Sequence, residues 1–266
     1  MYSDIIDYRD FYATRTGRVA RRMVRAAVRG VWPNLRGQRV LGVGYATPFL
    51  APFEGEAERL LAFMPAQHGV VPWPEGKPNR SAVVHEDALP LPDFSIDRAL
   101  LVHTVETAED VRALLGEVWR VLMGDGRVLV IVPNRRGLWS RFDSTPFGQG
   151  KPYSGGQLAQ VLREAGFRPE ITQRALFVPP TRSRTVLGAA PAVERMGQRW
   201  APLVGGVLML EAGKQLYAAT GPREARKPLA DRVVVPMPGL AAPPVRRSFL
   251  LRGRRRGAVK RSTRST

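Results

Sequence analysis

Short apolar runs alternate with amphipathic segments along the middle of this chain, and that alternation most constrains its fold. Continuous apolar runs lie at residues 39–43, 96–102 and 127–132, as is typical of strands that are buried on both faces of a sheet. Residues 109–122 and 154–165 instead carry apolar side chains at helical spacing. Because strands and helices alternate in this order, we predict an α/β fold with a doubly wound, mostly parallel sheet.

Weaker patterns complete the predicted elements. A helix is expected over residues 15–30, an inserted helix lies within about 179–203, and Thr107 is the expected N-cap of the helix at 109–122. Ser154 and Gln157 have the spacing of a capping box at the start of the next helix. The remaining strands are predicted at 59–63, 82–84 (an edge strand), 171–178 and 206–217.

Charge divides the 266 residues into two parts. The net charge is +18, and residues 221–266 hold 13 Lys/Arg against 2 Asp/Glu, so this sixth of the chain carries +11 of it. We predict one domain over residues 1–220, with a helical lid at 1–35, followed by a Pro/Arg-rich disordered tail at 221–266.

Composition excludes several kinds of chemistry. The chain has no cysteine, which rules out disulfides, thiolate metal sites and cysteine nucleophiles and is compatible with a reducing cytoplasm. Its three histidines do not stand at metal-ligand spacing, so no metal site is predicted. No run is apolar for long enough to span a bilayer, and the acidic start lacks the pattern of a secretory signal.

Two groups of arginines suggest contact with anions. The basic residues within 246–264 would bind a polyanion non-specifically, either RNA or an anionic membrane, unless the tail only aids solubility. Arginines at 18, 22, 25 and 29 form a stripe on the helix at 15–30. This stripe is either a solvated face or a contact for an anionic substrate or membrane.

A glycine-containing loop follows the first predicted strand. Residues 42–48 read Gly-Val-Gly-Tyr-Ala-Thr-Pro, and small residues there let a ligand approach the backbone closely. In parallel sheets, ligands bind beyond the carboxyl ends of the strands. The glycine pattern alone leaves open whether this loop is a structural turn or part of a ligand site.

Four features in order resemble the class I S-adenosylmethionine-dependent methyltransferases, in particular the type 11 group. They are the strand and loop at 40–48, Glu-Asp-Ala-Leu-Pro-Leu-Pro at 86–92, the segment 96–106 that ends in His-Thr-Val-Glu, and Trp-Arg-Val-Leu at 119–122 with the Gly-rich turn and strand that follow. The resemblance covers roughly residues 36–169. It implies a Rossmann-like fold, methyl transfer and S-adenosylmethionine as the cofactor.

The resemblance also implies roles for individual residues. Gly44 matches the first glycine of the family's cofactor loop, and Asp87 matches the acid that contacts the adenine amino group. His103 stands at the end of the fourth strand, facing the sulfonium of the methyl donor. The implied cofactor-binding set is Gly42, Gly44, Tyr45, Ala46, Phe63, Met64, Asp87, Ala88, Leu89 and His103.

The cofactor loop departs from the family pattern. Gly42 stands where an acid is usual, and Phe63 or Met64 stands where a carboxylate normally holds the ribose hydroxyls. Each charge-assisted hydrogen bond contributes about 1.5–3 kcal/mol, so its loss weakens binding tenfold or more. Either another group holds the ribose or the pocket no longer binds the donor well. A crevice filled by Tyr45 and Phe49 would contradict the proposed activity.

His103 is the candidate general base, because histidine exchanges protons near neutral pH. The alternative is that it fills a hydrogen-bonding site at the strand end, and Glu106 is interpreted as a helix-start residue. Tyr8, Phe11 and Tyr12 either cover the cofactor as a lid or anchor the N-terminal helix. The candidate acceptor-binding residues are Tyr12, Asn134, Arg135, Trp139 and Tyr153.

Three functions follow as hypotheses. We expect a cytoplasmic methyltransferase that acts on a small molecule or lipid, because no RNA-reading module is visible. The altered cofactor loop instead favours a catalytically silent scaffold or binding protein of the same fold. The basic tail favours an RNA- or ribosome-associated methyltransferase. The oligomeric state does not follow from the sequence.

Overall fold

The structure is a computed structural model that describes residues 4–215, so predictions for the tail at 221–266, with its basic residues at 246–264, lie outside it. Seven strands form one sheet: β1 Arg39–Gly44, β2 Arg59–Pro65, β3 Ser81–Val84, β4 Ile96–Val102, β5 Leu122–Pro133, β6 Phe167–Ala175 and β7 Val207–Lys214. Within the described residues seven α-helices accompany it: α1 Ile5–Ala13, α2 Arg15–Val31, α3 Thr47–Leu50, α4 Val111–Val121, α5 Gly155–Glu164, α6 Arg184–Gly188 and α7 Ala190–Trp200.

The strand order is β3-β2-β1-β4-β5-β7-β6. Strands β1 to β5 pair in parallel, whereas β7 runs antiparallel to both β5 and β6. The order reverses between β1 and β4, where the register places Gly44 opposite Val102. The predicted fold class is confirmed, and the switch point of the sheet lies at the end of β1.

Alternate residues of the central strands enter two separate cores. Val40 and Leu100 pack with α1, α2 and α3 on one face, whereas Leu41, Val43 and Leu101 pack with α4 and α5 on the other. Because both faces are covered, the central strands are apolar at nearly every position. The continuous apolar runs in the sequence have this physical cause.

The first two helices form a tight corner. Thr14 caps α2 by accepting a hydrogen bond from the Gly17 backbone N–H at 3.0 Å, and its hydroxyl donates to the Phe11 carbonyl at 2.7 Å. A Cβ at Gly17 would lie 2.0 Å from that same carbonyl oxygen, so glycine is required for the close approach. This corner fixes the direction of α1 relative to α2.

Three local predictions need correction. The N-cap of α4 is Asp110, whose side chain accepts from two backbone N–H groups, whereas the Thr107 hydroxyl bonds to nearby carbonyls. The predicted single inserted helix is two helices, because Pro191 occupies the first turn of α7 and cannot continue a helix from α6. β6 begins at Phe167, earlier than predicted. The capping box of Ser154 and Gln157 is confirmed.

Candidate functional site

The loop after β1 lies directly on the end of β4. Gly44 has a φ of +79°, and a Cβ there would lie 2.2 Å from the Val102 carbonyl oxygen and 2.9 Å from the Thr104 Cβ. The Tyr45 backbone N–H donates to the same Val102 oxygen at 2.9 Å. Only glycine fits this contact, which brings the loop and the segment after β4 together at the switch point.

His103 is held by a hydrogen bond at each ring nitrogen. Its Nδ1 lies 3.1 Å from Glu106 Oε1, and its Nε2 lies 2.8 Å from the Tyr12 hydroxyl. If the Glu106 carboxylate accepts from Nδ1–H, then Nε2 carries the lone pair and Tyr12 O–H donates to it. His103 is only 2% exposed and has a φ of +53°, so the backbone is strained to place it here.

Helix α1 covers this pair with aromatic rings. Tyr8 stacks on His103 with ring centroids 4.9 Å apart and on Tyr45 with centroids 5.7 Å apart. Tyr12 stacks on Tyr45 at 5.6 Å. We call Tyr8, Tyr12 and Tyr45 the aromatic plug; each is 6% exposed or less. Phe49 is 1% exposed and meets the Tyr12 ring edge-on, with centroids 5.7 Å apart. The expectation of an open crevice beside Gly44 is therefore wrong for this conformation, and the expected activity would require these rings to move.

Two polar oxygens beneath the plug remain without a partner among residues 4–215. They are Thr104 Oγ1 and Glu106 Oε2, and both residues are at most 4% exposed. Buried polar groups are normally hydrogen-bonded, so unpaired ones suggest that a partner is missing. Glu106 was interpreted from the sequence as a helix-start residue, but it precedes α4 and pairs with His103 instead.

The residues expected to hold the adenosine half line the neighbouring strand ends. Phe63, Met64 and Leu89 are buried, whereas Asp87 and Ala88 are exposed in the turn after β3. Asp87 therefore stands where a ligand from solvent reaches it. Gly42 and Ala46 instead pack against each other and against Leu50, since a Cβ at Gly42 would lie 2.7 Å from the Ala46 Cβ.

Sequence reasoning missed His68, which lies just after β2. It is 7% exposed, and its ring meets the edge of Tyr8 with centroids 6.1 Å apart. Burial lowers the pKa of the His68 imidazole below its ordinary value, which favours the neutral form. Two of the three histidines thus meet around Tyr8. No cluster of three potential metal ligands occurs within residues 4–215.

Most predicted acceptor-binding residues use their polar groups within the fold. Asn134 Nδ2 donates to the carbonyls of Leu203 and Gly205 at 3.0 and 2.7 Å. The indole N–H of Trp139 donates to the Val178 carbonyl at 2.7 Å, and the residue is 1% exposed. The remaining three are Arg135, which is exposed, Tyr153, which is half-buried, and Tyr12, which belongs to the plug.

A cavity lies on the other side of α1. It has a volume of about 820 Å³, and its lining includes Asp7, Asp10 and Phe11 from α1 with Phe142 and Arg182 from two loops. Side chains of both charges and two aromatic rings face the same space. Its lining residues on α1 do not include Tyr8 or Tyr12, the two α1 residues that contact His103.

Comparisons with known proteins fit this geometry. Residues 39–130 match the family described as a methyltransferase domain. This match and the fold support a class I S-adenosylmethionine-dependent methyltransferase domain in this part of the chain. S-adenosylmethionine is the cofactor of this family, and a search of curated proteins finds no match.

Solved methyltransferases share the fold. An S-adenosylmethionine-dependent methyltransferase of Thermotoga maritima is 19% identical with a TM-score of 0.55, over 79% of this chain and 96% of its own. One from Archaeoglobus fulgidus is 20% identical with a TM-score of 0.53, over 73% and 94%. A Burkholderia thailandensis 1,6-didemethyltoxoflavin N1-methyltransferase, solved with S-adenosylhomocysteine, is 20% identical with a TM-score of 0.52, over 79% and 85%.

The methyltransferase cofactor fits the polar groups of this site but not its present volume. The carboxylate of Glu106 and the hydroxyl of Thr104 suit a cationic ligand, and Asp87 is exposed to one. The rings of the aromatic plug, however, occupy the crevice beside Gly44. The conformation described is therefore closed to the cofactor.

The plug should be visible in an alkaline titration. Burial raises the pKa of Tyr45 to about 12 and raises the pKa values of Tyr8 and Tyr12 as well. The pKa values in the folded chain thus lie above the unfolded value of about 10. The contribution of the neutral, buried tyrosines to the stability of the fold is therefore complete below pH 10 and is lost as the pH rises through about 12. Burial also raises the pKa of Tyr153, so we expect four of the six tyrosines to ionise late in native protein, measured by phenolate absorbance.

The titration has an internal reference. In urea all six tyrosines should ionise together near pH 10, and Tyr8→Phe should remove one late-titrating group. Six tyrosines that ionise near pH 10 in the native chain would show that α1 does not bury these rings in solution.

Proposed function

We propose that the chain transfers a methyl group from S-adenosylmethionine to an unidentified acceptor, either a small molecule or a lipid. The observation that carries this proposal is the buried His103–Glu106 pair beside Gly44, with Glu106 Oε2 and Thr104 Oγ1 still unpartnered among residues 4–215. A ligand with a cationic group would satisfy both oxygens. The proposal is supported by the family resemblance, which implies that the methyl donor faces His103.

Cofactor binding in this proposal requires α1 to leave the crevice. Four buried side chains hold α1 in place. Burying each large apolar side chain stabilises the closed conformation by about 1.5–3 kcal/mol, and this free energy opposes the movement of α1. They are Ile5, Tyr8, Phe11 and Tyr12. The apparent affinity for the cofactor is reduced by the small population of open molecules.

His103 has a defined task once α1 moves. Its Nε2 loses the hydrogen bond from Tyr12, while Glu106 keeps Nδ1 in place. The freed nitrogen can then accept a proton from a bound acceptor. With α1 in place, the hydrogen bond from Tyr12 occupies Nε2, so His103 cannot accept a proton from an acceptor in the closed conformation.

The cavity of about 820 Å³ is the proposed acceptor site. Its lining includes Asp7, Asp10 and Phe11 of α1, whereas Tyr8 and Tyr12 of the same helix contact His103, so in this proposal movement of α1 would connect the cavity with the crevice. Its volume suits a small molecule or one end of a lipid. Arg182 and the aromatic rings of Phe11 and Phe142 would contact an anionic or planar group there.

Asp87→Ala should weaken binding of S-adenosylhomocysteine at least tenfold. A charge-assisted hydrogen bond to the adenine amino group contributes about 1.5–3 kcal/mol, and each 1.4 kcal/mol is a factor of ten. Calorimetry measures the change, with Asp125→Ala, an exposed acid in β5, as the matched control. Equal affinities for Asp87→Ala and the wild-type chain would remove the adenine role of Asp87.

A catalytically silent scaffold is the second candidate. The closed crevice and the absence of any acid from β2 favour it. Absence of heat at millimolar S-adenosylhomocysteine, in the wild-type chain and in Tyr8→Ala alike, would support the scaffold and overturn the enzyme.

A further inference from the structure

Helix α7 turns apolar side chains toward solvent. Met196 is 63% exposed and Trp200 is 76% exposed, and they stand one turn apart on the same face. The inward face carries Glu194, which accepts the backbone N–H groups of Leu176 and Phe177 at 2.7 Å each. A tryptophan this exposed is unusual, and here it extends a row of apolar residues.

The apolar row continues onto the neighbouring loops. Leu203 and Val204 follow α7 and are each 48% exposed. Asn134 ties the loop after β5 to this segment through its bond to the Leu203 carbonyl at 3.0 Å, and Leu138 on that loop is 46% exposed. We call the surface formed by Leu138, Met196, Trp200, Leu203 and Val204 the apolar patch.

Arginines accompany the apolar patch. Within 134–143 and 190–204 the exposed charged residues are one acid, Asp143, and five arginines, none of which forms an ion pair within residues 4–215. Arg199 lies near Trp200, with its guanidinium carbon 5.9 Å from the centroid of the indole ring. The five are Arg135, Arg136, Arg141, Arg195 and Arg199.

We propose that the apolar patch and its arginines bind the surface of an anionic phospholipid bilayer. Arginine pairs with phosphate, and tryptophan prefers the boundary between headgroups and acyl chains. Both features occur on one face, which matches a bilayer's anionic surface and apolar interior. Residues 221–266 carry +11 in the sequence, so their charge does not complement this face.

A bilayer fits these residues better than RNA does. RNA recognition needs cations with stacking rings, and it gains little from Met196, Leu203 or Val204. The face also adjoins the cavity of about 820 Å³ through Phe142, which is 40% exposed. This membrane proposal does not depend on methyl transfer, because binding to vesicles is measured without the cofactor.

The test is sedimentation of the full-length chain with vesicles of phosphatidylcholine alone or mixed with phosphatidylserine. We expect retention on the mixed vesicles that falls with added salt. Trp200→Ala and the double variant Arg195→Gln/Arg199→Gln should each weaken retention about tenfold. The matched control is Arg163→Gln/Arg168→Gln, two exposed arginines on α5 and β6, which should behave like the wild-type chain.

A local readout separates this face from residues 216–266. Trp200 is the only exposed tryptophan of the five, all of which lie in the described part of the chain. Brominated acyl chains should quench its fluorescence on the mixed vesicles, and Trp200→Phe should lose that quenching. Retention unchanged in both patch variants, without quenching, would overturn the proposal, as would equal binding to phosphatidylcholine alone.

Discussion

The Tyr8→Ala variant is expected to bind S-adenosylhomocysteine at least tenfold more tightly than the wild-type chain. In the wild-type chain the Tyr8 ring stacks on both Tyr45 and His103, and this packing must be broken before a ligand reaches the crevice. A buried ring contributes about 1.5–3 kcal/mol, and aromatic pairs add about 0.5–1.5 kcal/mol. Removing that cost raises the population of open molecules and hence the apparent affinity. Calorimetry measures the dissociation constants.

The control for this variant lies on the same helix. Ile6 is 46% exposed on the outer face of α1, so Ile6→Ala should leave the affinity unchanged. Thermal unfolding checks that both variants remain folded. Equal or weaker binding by folded Tyr8→Ala would mean that its ring does not obstruct the ligand.

Gly44→Ala should lower the free energy of unfolding by about 2–5 kcal/mol. Alanine at a positive φ costs about 1–2 kcal/mol, and forcing a methyl group into a packed site costs about 1–3 kcal/mol more. The added Cβ would meet the Val102 carbonyl oxygen at 2.2 Å, and backbone cannot yield as a flexible side chain can. Urea unfolding measures the change.

Gly30→Ala is the opposite case. Gly30 lies in α2 with no atom within 4 Å of an added Cβ, so alanine should stabilise the chain by about 1 kcal/mol. If Gly44→Ala unfolded within 1 kcal/mol of the wild-type chain, the loop after β1 would not be seated on β4 as described.

The central sheet was predictable because its signal is local. Strands such as β1 and β4 are covered on both faces, and this produces continuous apolar runs. The cap of α5 was equally legible, since Ser154 and Gln157 are three residues apart. The break between α6 and α7 could have been found from Pro191 alone.

The closed crevice was not predictable, because it depends on contacts between distant segments. Tyr12 and His103 are 91 residues apart, and aromatic residues in a short helix suit a lid and a core anchor equally. Glu106 resembles an ordinary acid before a helix until the fold places it against His103. His68 carries no motif, and only the path of the chain after β2 brings it to Tyr8.

Amide hydrogen exchange of α1 tests most directly whether this helix occupies the cofactor's place. The measurement compares the amides of Ile5–Ala13 in the full-length chain with and without saturating S-adenosylhomocysteine. The account predicts faster exchange when the ligand is bound, because α1 must leave the crevice. Ligand binding with unchanged or slower exchange of these amides would contradict it.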